Sequence, residues 1–220
     1  MWITRGVLVA VLSLCFVLPV AAQYIGVMQS AETMDKGTFK LMVAPILAFG
    51  KDGANTAAFG KNAADNEFGV AVRGGYGFAD RFDAEAKLGF FENGTFVGAD
   101  GELWILKGKE KDVGLDFSLT GGVHWMSGKN GNLSTMGFEI TPLLSGHVNT
   151  SLELYGALDA SFESRKDAPP VVDDTFTRLH LVPGFEYRLS DSADLVGEIG
   201  IGLNDESSSY VGVGIAFYLR

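Results

Sequence analysis

In the segment "GGYGFADRFDAEAKLGFF" (74–91), Asp83, Glu85 and Lys87 alternate with Phe82, Ala84, Ala86 and Leu88. A spacing of two puts the three charges on one face of a β-strand and the apolar residues on the other. Carried along the chain, the same spacing collects one polar-face set: Lys40, Arg73, Asp83, Glu85, Lys87, Asp100, Glu102, Asp116, Glu139, Glu153, Asp159, Glu163, Arg178, Glu186, Arg188 and Glu198. Eleven of these are acidic and five basic. In a confined interior such a set does one of two things. It closes on itself as a network of ion pairs and hydrogen bonds, or its six surplus acids line a thin water path that favours cations. Catalysis would need a base beside a nucleophile or a carboxylate. His124 and Ser127 are three apart, so on a strand they point to opposite faces. His124 and His180 are therefore read as members of the polar network. A metal centre built from His124, His180, Glu163 and Asp174 would need two distant strands to meet across the interior, and no spacing supports it. Neither a metal nor a cofactor is expected, and the Gly-x-Gly pairs fall inside strands rather than in a phosphate-cradling loop.

These residues must be positioned by strands, because strict alternation recurs and no helical spacing does. Ten segments are expected: 37–50, 66–79, 82–92, 95–107, 112–126, 133–144, 148–163, 175–189, 193–204 and 209–219. In the last, Val211, Val213, Ile215, Phe217 and Leu219 share one face, and the other is nearly bare, with Gly212, Gly214 and Ala216. Connections alternate in length. Those after the second, fourth, sixth and eighth segments are short, around Asp80-Arg81, Lys109 to Lys111, Ser145-Gly146 and Ser190 to Ser192. Those at 51–65, 127–132 and 164–174 are long, with Asn93-Gly94 and Asn204 to Ser207 as shorter members of the same set. The chain thus turns tightly at one end of a sheet and loosely at the other.

The chain opens "MWITRGVLVAVLSLCFVLPVAAQ", one Arg and an apolar run ending in small residues, which reads as a secretory signal over 1–22. Cys15 is the only cysteine, so no disulfide framework is expected after export. Leu14 precedes it where a lipoprotein would need a small residue. Without Arg5 the remaining 198 residues carry 16 basic and 27 acidic side chains, a net charge of −11. That balance excludes nucleic acid and anionic headgroups as electrostatic partners. Residues 23–36, "QYIGVMQSAETMDK", lack periodicity and read as a lead-in to one domain over 37–220.

Alternation has a mirror ambiguity: a lipocalin-like barrel faces its apolar side inward, and a transmembrane barrel faces it outward. Aromatic residues near strand ends decide for the outward reading. Phe39, Phe78, Phe82, Trp104, Tyr187 and Phe217 lie by the tight turns, and Phe49, Phe68, Phe90, Trp125, Phe162 and Phe176 by the loose ones. Two such rings are the girdles expected at two membrane interfaces. The segments run about 11 to 16 residues, long enough to cross a bilayer when tilted.

On the signal, the alternating segments, the turn asymmetry and the final amphipathic strand with Phe217 and Tyr218, the sequence resembles the small β-barrel proteins of the bacterial outer membrane. The resemblance implies an all-β, antiparallel, up-and-down transmembrane barrel of about ten strands, with eight or twelve as alternatives. It implies an outer-membrane location, a periplasmic lead-in over 23–36, and five loops outside. Its implied partners are outer-membrane lipid and the outer-membrane assembly machinery. That machinery reads a terminal aromatic in the family, whereas this chain ends Leu219-Arg220. Some family members are rim proteases or lipid A-modifying enzymes that place His with carboxylates or Ser. The spacing here instead favours a non-enzymatic protein whose loops serve envelope integrity or recognition, with a narrow cation-preferring pore as the rival reading. The sequence names no ligand for those loops.

Overall fold

A computed structural model of the chain describes residues 25–49, 66–92, 94–108, 114–128, 134–166 and 175–220. The expected signal at 1–22 lies outside them, as do the loops at 51–65 and 167–174 and the turn at Lys109 to Lys111. Ten strands form: β1 (Phe39–Ala48), β2 (Glu67–Ala79), β3 (Phe82–Phe91), β4 (Gly94–Leu106), β5 (Asp116–Gly128), β6 (Ser134–His147), β7 (Leu152–Lys166), β8 (Thr175–Ser190), β9 (Ala193–Gly202) and β10 (Tyr210–Leu219). Each pairs antiparallel with its neighbours in sequence, and β10 returns to pair with β1, so the barrel is closed. Closure satisfies every edge, the condition a sheet must meet to stand in hydrocarbon.

The registers fix which side chains share a face. Met42 sits opposite Arg73, Arg73 opposite Lys87, and Asp100 opposite Gly122, all on the inner surface. The outer surface is a continuous apolar band. Phe90 is 54% and Val123 62% exposed, and Leu88, Leu119, Ile140, Leu158 and Ile199 stand in the same band. Bilayer hydrocarbon solvates such a surface, and water does not. An Arg in place of Val123 would sit near mid-strand on this face. Val123→Arg is expected to destabilise the barrel by about 2–4 kcal/mol in reversible unfolding from lipid vesicles, against little change for Val123→Leu.

One turn lies later than its sequence suggests. The β6–β7 connection falls at 148–151 rather than at Ser145-Gly146, because the Asn149 carboxamide oxygen accepts the N–H groups of Ser151 and Leu152 at 2.8 and 3.0 Å. That side chain closes the turn, so β6 runs on to His147.

From residue 25 on, the segment read as a periplasmic lead-in instead lies inside the barrel. Ile25, Val27, Met28, Ala31 and Met34 are all buried. Residues 25–38 form a strap that descends the lumen. It starts beside Gly89 near the long-loop end and leaves past Gly77, whose N–H donates to the Thr38 carbonyl at 3.0 Å, before turning into β1. The bare inner faces make its room. A Cβ on Gly212 would meet the Met28 methyl, one on Gly75 the Met34 methyl, and one on Gly89 the Ile25 side chain.

Candidate functional site

The polar face of the strands and the strap meet in a single lumenal constellation. Its centre is Glu198 on β9, buried, whose carboxylate accepts four hydrogen bonds. Two come from the strap backbone, Val27 N at 2.8 Å and Met28 N at 2.6 Å. The other two come from the wall, Tyr155 Oη at 2.8 Å and Tyr210 Oη at 2.7 Å. The strap can present two successive N–H groups because Gly26 and Met28 adopt φ of 75° and 49°. Left-handed residues curl the backbone into an anion-binding nest. For Met28 that conformation is unfavourable by about 1–3 kcal/mol, and it is held by the bonds it makes possible.

Arg73 on β2 grips the opposite side of the strap. Its Nη1 donates to the Val27 carbonyl, its Nη2 to Gln29 Oε1 at 2.7 Å, and its Nε to Glu85 at 2.7 Å. Gln29 also donates to Glu102 and Thr120, the Ala31 N–H to Ser145 Oγ, and the Met34 N–H to Asp83 Oδ2 at 2.7 Å. From Ile25 to Met34 the strap therefore touches β2, β3, β4, β5, β6, β9 and β10.

Around it the charged side chains pair in a chain. Lys40 meets Glu85, Glu85 meets Arg73, and Arg73 Nη2 is 3.7 Å from Asp100. Lys87 joins Asp100 to Glu139, the latter at 2.5 Å. His124 lies 3.7 Å from both Glu139 and Glu163, and Arg178 is 3.3 Å from Glu163. Asp159 accepts from Thr141 at 2.6 Å and faces His180 at 3.9 Å. Glu102 accepts from Ser118, and Glu186 from Tyr218 at 2.8 Å. Pairing of this kind is what makes buried charges tolerable. The void beside Lys87, Asp100, Glu139, Thr141 and Asp159 holds about 10 Å³, room for one water at most. A wider cavity of about 440 Å³ opens at the short-turn end, where Asp83, Glu102, Glu153 and Glu186 line it.

Most residues of the polar-face set stand in the lumen, including Asp116 and Glu153, which are buried near the short-turn mouth. Arg188 is the departure: it is exposed at that mouth and lines the cavity. Phe39, Phe78, Phe82, Tyr187 and Phe217 at the short-turn rim, and Phe49, Phe90, Trp125 and Phe162 at the long-loop rim, are exposed on the outer surface. Phe68 is half-buried on β2. Two expected girdle members turn inward. Trp104 donates to Asp116 Oδ1 at 3.1 Å, in register with the lumenal face of β4. Phe176 pairs across the ladder with Glu163 and carries the guanidinium of Arg165 on its ring at 3.9 Å. Proximity to a strand end does not choose a face; odd–even register does, and it puts both with the charges. His124 is likewise inward, stacked on Phe96 at 5.1 Å, while Ser127 occupies the other face of β5.

A closed antiparallel barrel with an apolar outer band and a charged interior defines a class: the fold is that of the bacterial outer-membrane β-barrel proteins. The outer membrane channel from Pseudomonas putida F1 superimposes with a TM-score of 0.58 at 12% identity, covering 90% of this chain and all of the channel. More distant are Ail, the attachment invasion locus protein of Yersinia pestis, and the outer membrane protein OprG from Pseudomonas aeruginosa. Ail gives a TM-score of 0.41 at 13% identity over 84% of this chain and 99% of its own; OprG gives 0.40 at 14% over 86% and 99%. No family model matches the chain. No curated protein matches it either.

Proposed function

We propose that the protein is an integral outer-membrane barrel whose lumen is closed by its own N-terminal strap, and that it acts at the envelope surface through its long loops rather than by catalysis. The observation that carries this reading is the fourfold-bonded Glu198 carboxylate holding the strap backbone at mid-lumen. A rigid closed barrel is a platform, and loops on such a platform carry recognition. The apolar band supports lipid as the surrounding solvent, with the short turns periplasmic. Phe217, exposed on the last strand, supports presentation of that strand to the assembly machinery. His124 is buried against Phe96 between Glu139 and Glu163, with Ser127 on the other face of β5, which favours a network role over a hydrolytic one.

The second reading, a cation-preferring channel, draws on one observation: acids dominate the charged lining of the cavity at the short-turn mouth. Planar-bilayer recording on the purified chain without its signal separates the two. Closed traces with rare, brief openings are expected. Steady cation-selective conductance from the intact protein would overturn the closed reading in favour of the channel.

A further inference from the structure

We infer that the short-turn mouth holds a binding site for one divalent transition-metal cation, built from Asp116, His147, Glu153 and the strap residue Glu32. One donor atom from each of the four lies within 4.8 Å of the others. The wall ligands come from three consecutive strands in register: His147 pairs directly with Glu153, and Asp116 pairs with Ser145, two residues before His147. The Glu32 carboxylate stands 3.7 Å from His147 Nδ1.

Two features mark this cluster. Glu153 is only 7% exposed, and its Oε1 has no hydrogen-bond partner. A buried carboxylate oxygen left so is costly unless something cationic meets it. In the network Lys40, Arg73 and Lys87 supply that charge to Glu85, Asp100 and Glu139. At the mouth, among the described residues, no Lys or Arg lies within ion-pair distance of Asp116 or Glu153, and Glu153 faces a further carboxylate, Glu186, across the β7–β8 ladder. Asp116 is also held in place from outside the cluster, its Oδ1 accepting from Trp104 Nε1 at 3.1 Å and Gly108 N at 2.9 Å. Outer bonds of this kind orient metal ligands.

One imidazole and three carboxylates form a donor set suited to Zn²⁺, Mn²⁺ or Fe²⁺, whereas Ca²⁺ and Mg²⁺ prefer oxygen alone. Bonds of about 2.0–2.2 Å require donors roughly 3–3.5 Å apart, so the four side chains must close by about an ångström. Glu32 and His147 keep 27% of their side-chain surface exposed, so both reach the open cavity from which a cation and a water ligand would enter. Because Glu32 belongs to the strap, the cation would tie the strap to β5, β6 and β7.

The test is calorimetric titration of Zn²⁺ into the detergent-refolded, EDTA-stripped chain, with Mg²⁺ and Ca²⁺ in parallel. One Zn²⁺ per chain is expected, with Mg²⁺ and Ca²⁺ bound at least about 100-fold more weakly. Glu153→Gln, His147→Ala and the strap variant Glu32→Gln should each weaken Zn²⁺ about tenfold or more, and Asp35→Asn, in the same cavity but outside the cluster, should not. Co²⁺ bound to the intact chain should show visible bands that the His147 substitution alters. Absence of Zn²⁺ binding, or equal affinity in all variants, would overturn the site. The inference rests on the strap's place in the lumen only through Glu32. Zn²⁺ binding by a freely conducting wild type would sink the closure and keep the site; a closed barrel that binds no Zn²⁺ would do the reverse.

Discussion

A chain lacking residues 23–36 is expected to conduct ions steadily, with a preference for cations, where the intact chain is closed. The barrel wall does not depend on those residues, since all ten strand pairings are made among β1 to β10. What the deletion removes is the contents of the lumen: the Val27–Met28 nest on Glu198, the Gln29 bridge between Arg73 and Glu102, and the Met34 cap on Asp83. The inner faces left behind are small, with Gly75, Gly89 and Gly212 where the strap had packed. Water can occupy that groove, and the acids that lose strap partners, Glu198, Asp83 and Glu102, would bias it toward cations. Because the strap contributes no pairing to the wall, its loss should leave the barrel folded. Conductance unchanged by the deletion would show that the wall side chains alone close the lumen.

The largest single-residue effect is expected at Glu198. Glu198→Ala takes the acceptor from four buried donors at once, the N–H groups of Val27 and Met28 and the hydroxyls of Tyr155 and Tyr210. Each buried donor left unpaired costs about 1–3 kcal/mol, so a loss on the order of 5 kcal/mol is expected even where water replaces some partners. Glu198→Gln keeps one acceptor oxygen and should fall between. Urea unfolding from lipid vesicles reads the stability. Protease cleavage within 25–34 reads the release of the strap, which should become accessible in Glu198→Ala and stay protected in the wild type. Wild-type stability and protection in Glu198→Ala would remove Glu198 as the anchor.

Much of the wall was legible in the sequence. Alternation gave all ten strands, and the aromatic residues near strand ends turned the apolar face outward and with it the charges of Asp83, Glu85 and Lys87 inward. Glu85 on β3 meets Arg73 on the neighbouring β2 and Lys40 one strand further round, on β1. The strap was not legible, because its backbone is neither helix nor strand and its apolar residues follow no period. Its signal was present elsewhere, in the bare inner face of the last strand. Gly212 has no side chain because Met28 occupies that volume. An inner face stripped to glycine in a barrel of charged neighbours marks where another segment must lie. Trp104 and Phe176 were misplaced for a related reason: nearness to a strand end suggested an interface role, while register had already assigned them inward. The mouth cluster was hidden because the β6–β7 turn seemed to fall at Ser145-Gly146, which would have left His147 off the wall; the Asn149 side chain moves the turn and brings His147 opposite Glu153.

Closure by the strap is tested most directly by a double-cysteine chain, Met28→Cys with Gly212→Cys, made in a protein whose only native cysteine is Cys15. The Met28 methyl occupies the place where a Cβ on Gly212 would stand, so a short bifunctional thiol-reactive reagent should join positions 28 and 212 within one chain. The expected result is near-complete intramolecular cross-linking of the folded barrel in vesicles, with both thiols shielded from a bulky maleimide in water. Labelling of position 28 by that maleimide, with no cross-link to position 212, would place the strap outside the lumen and contradict the account.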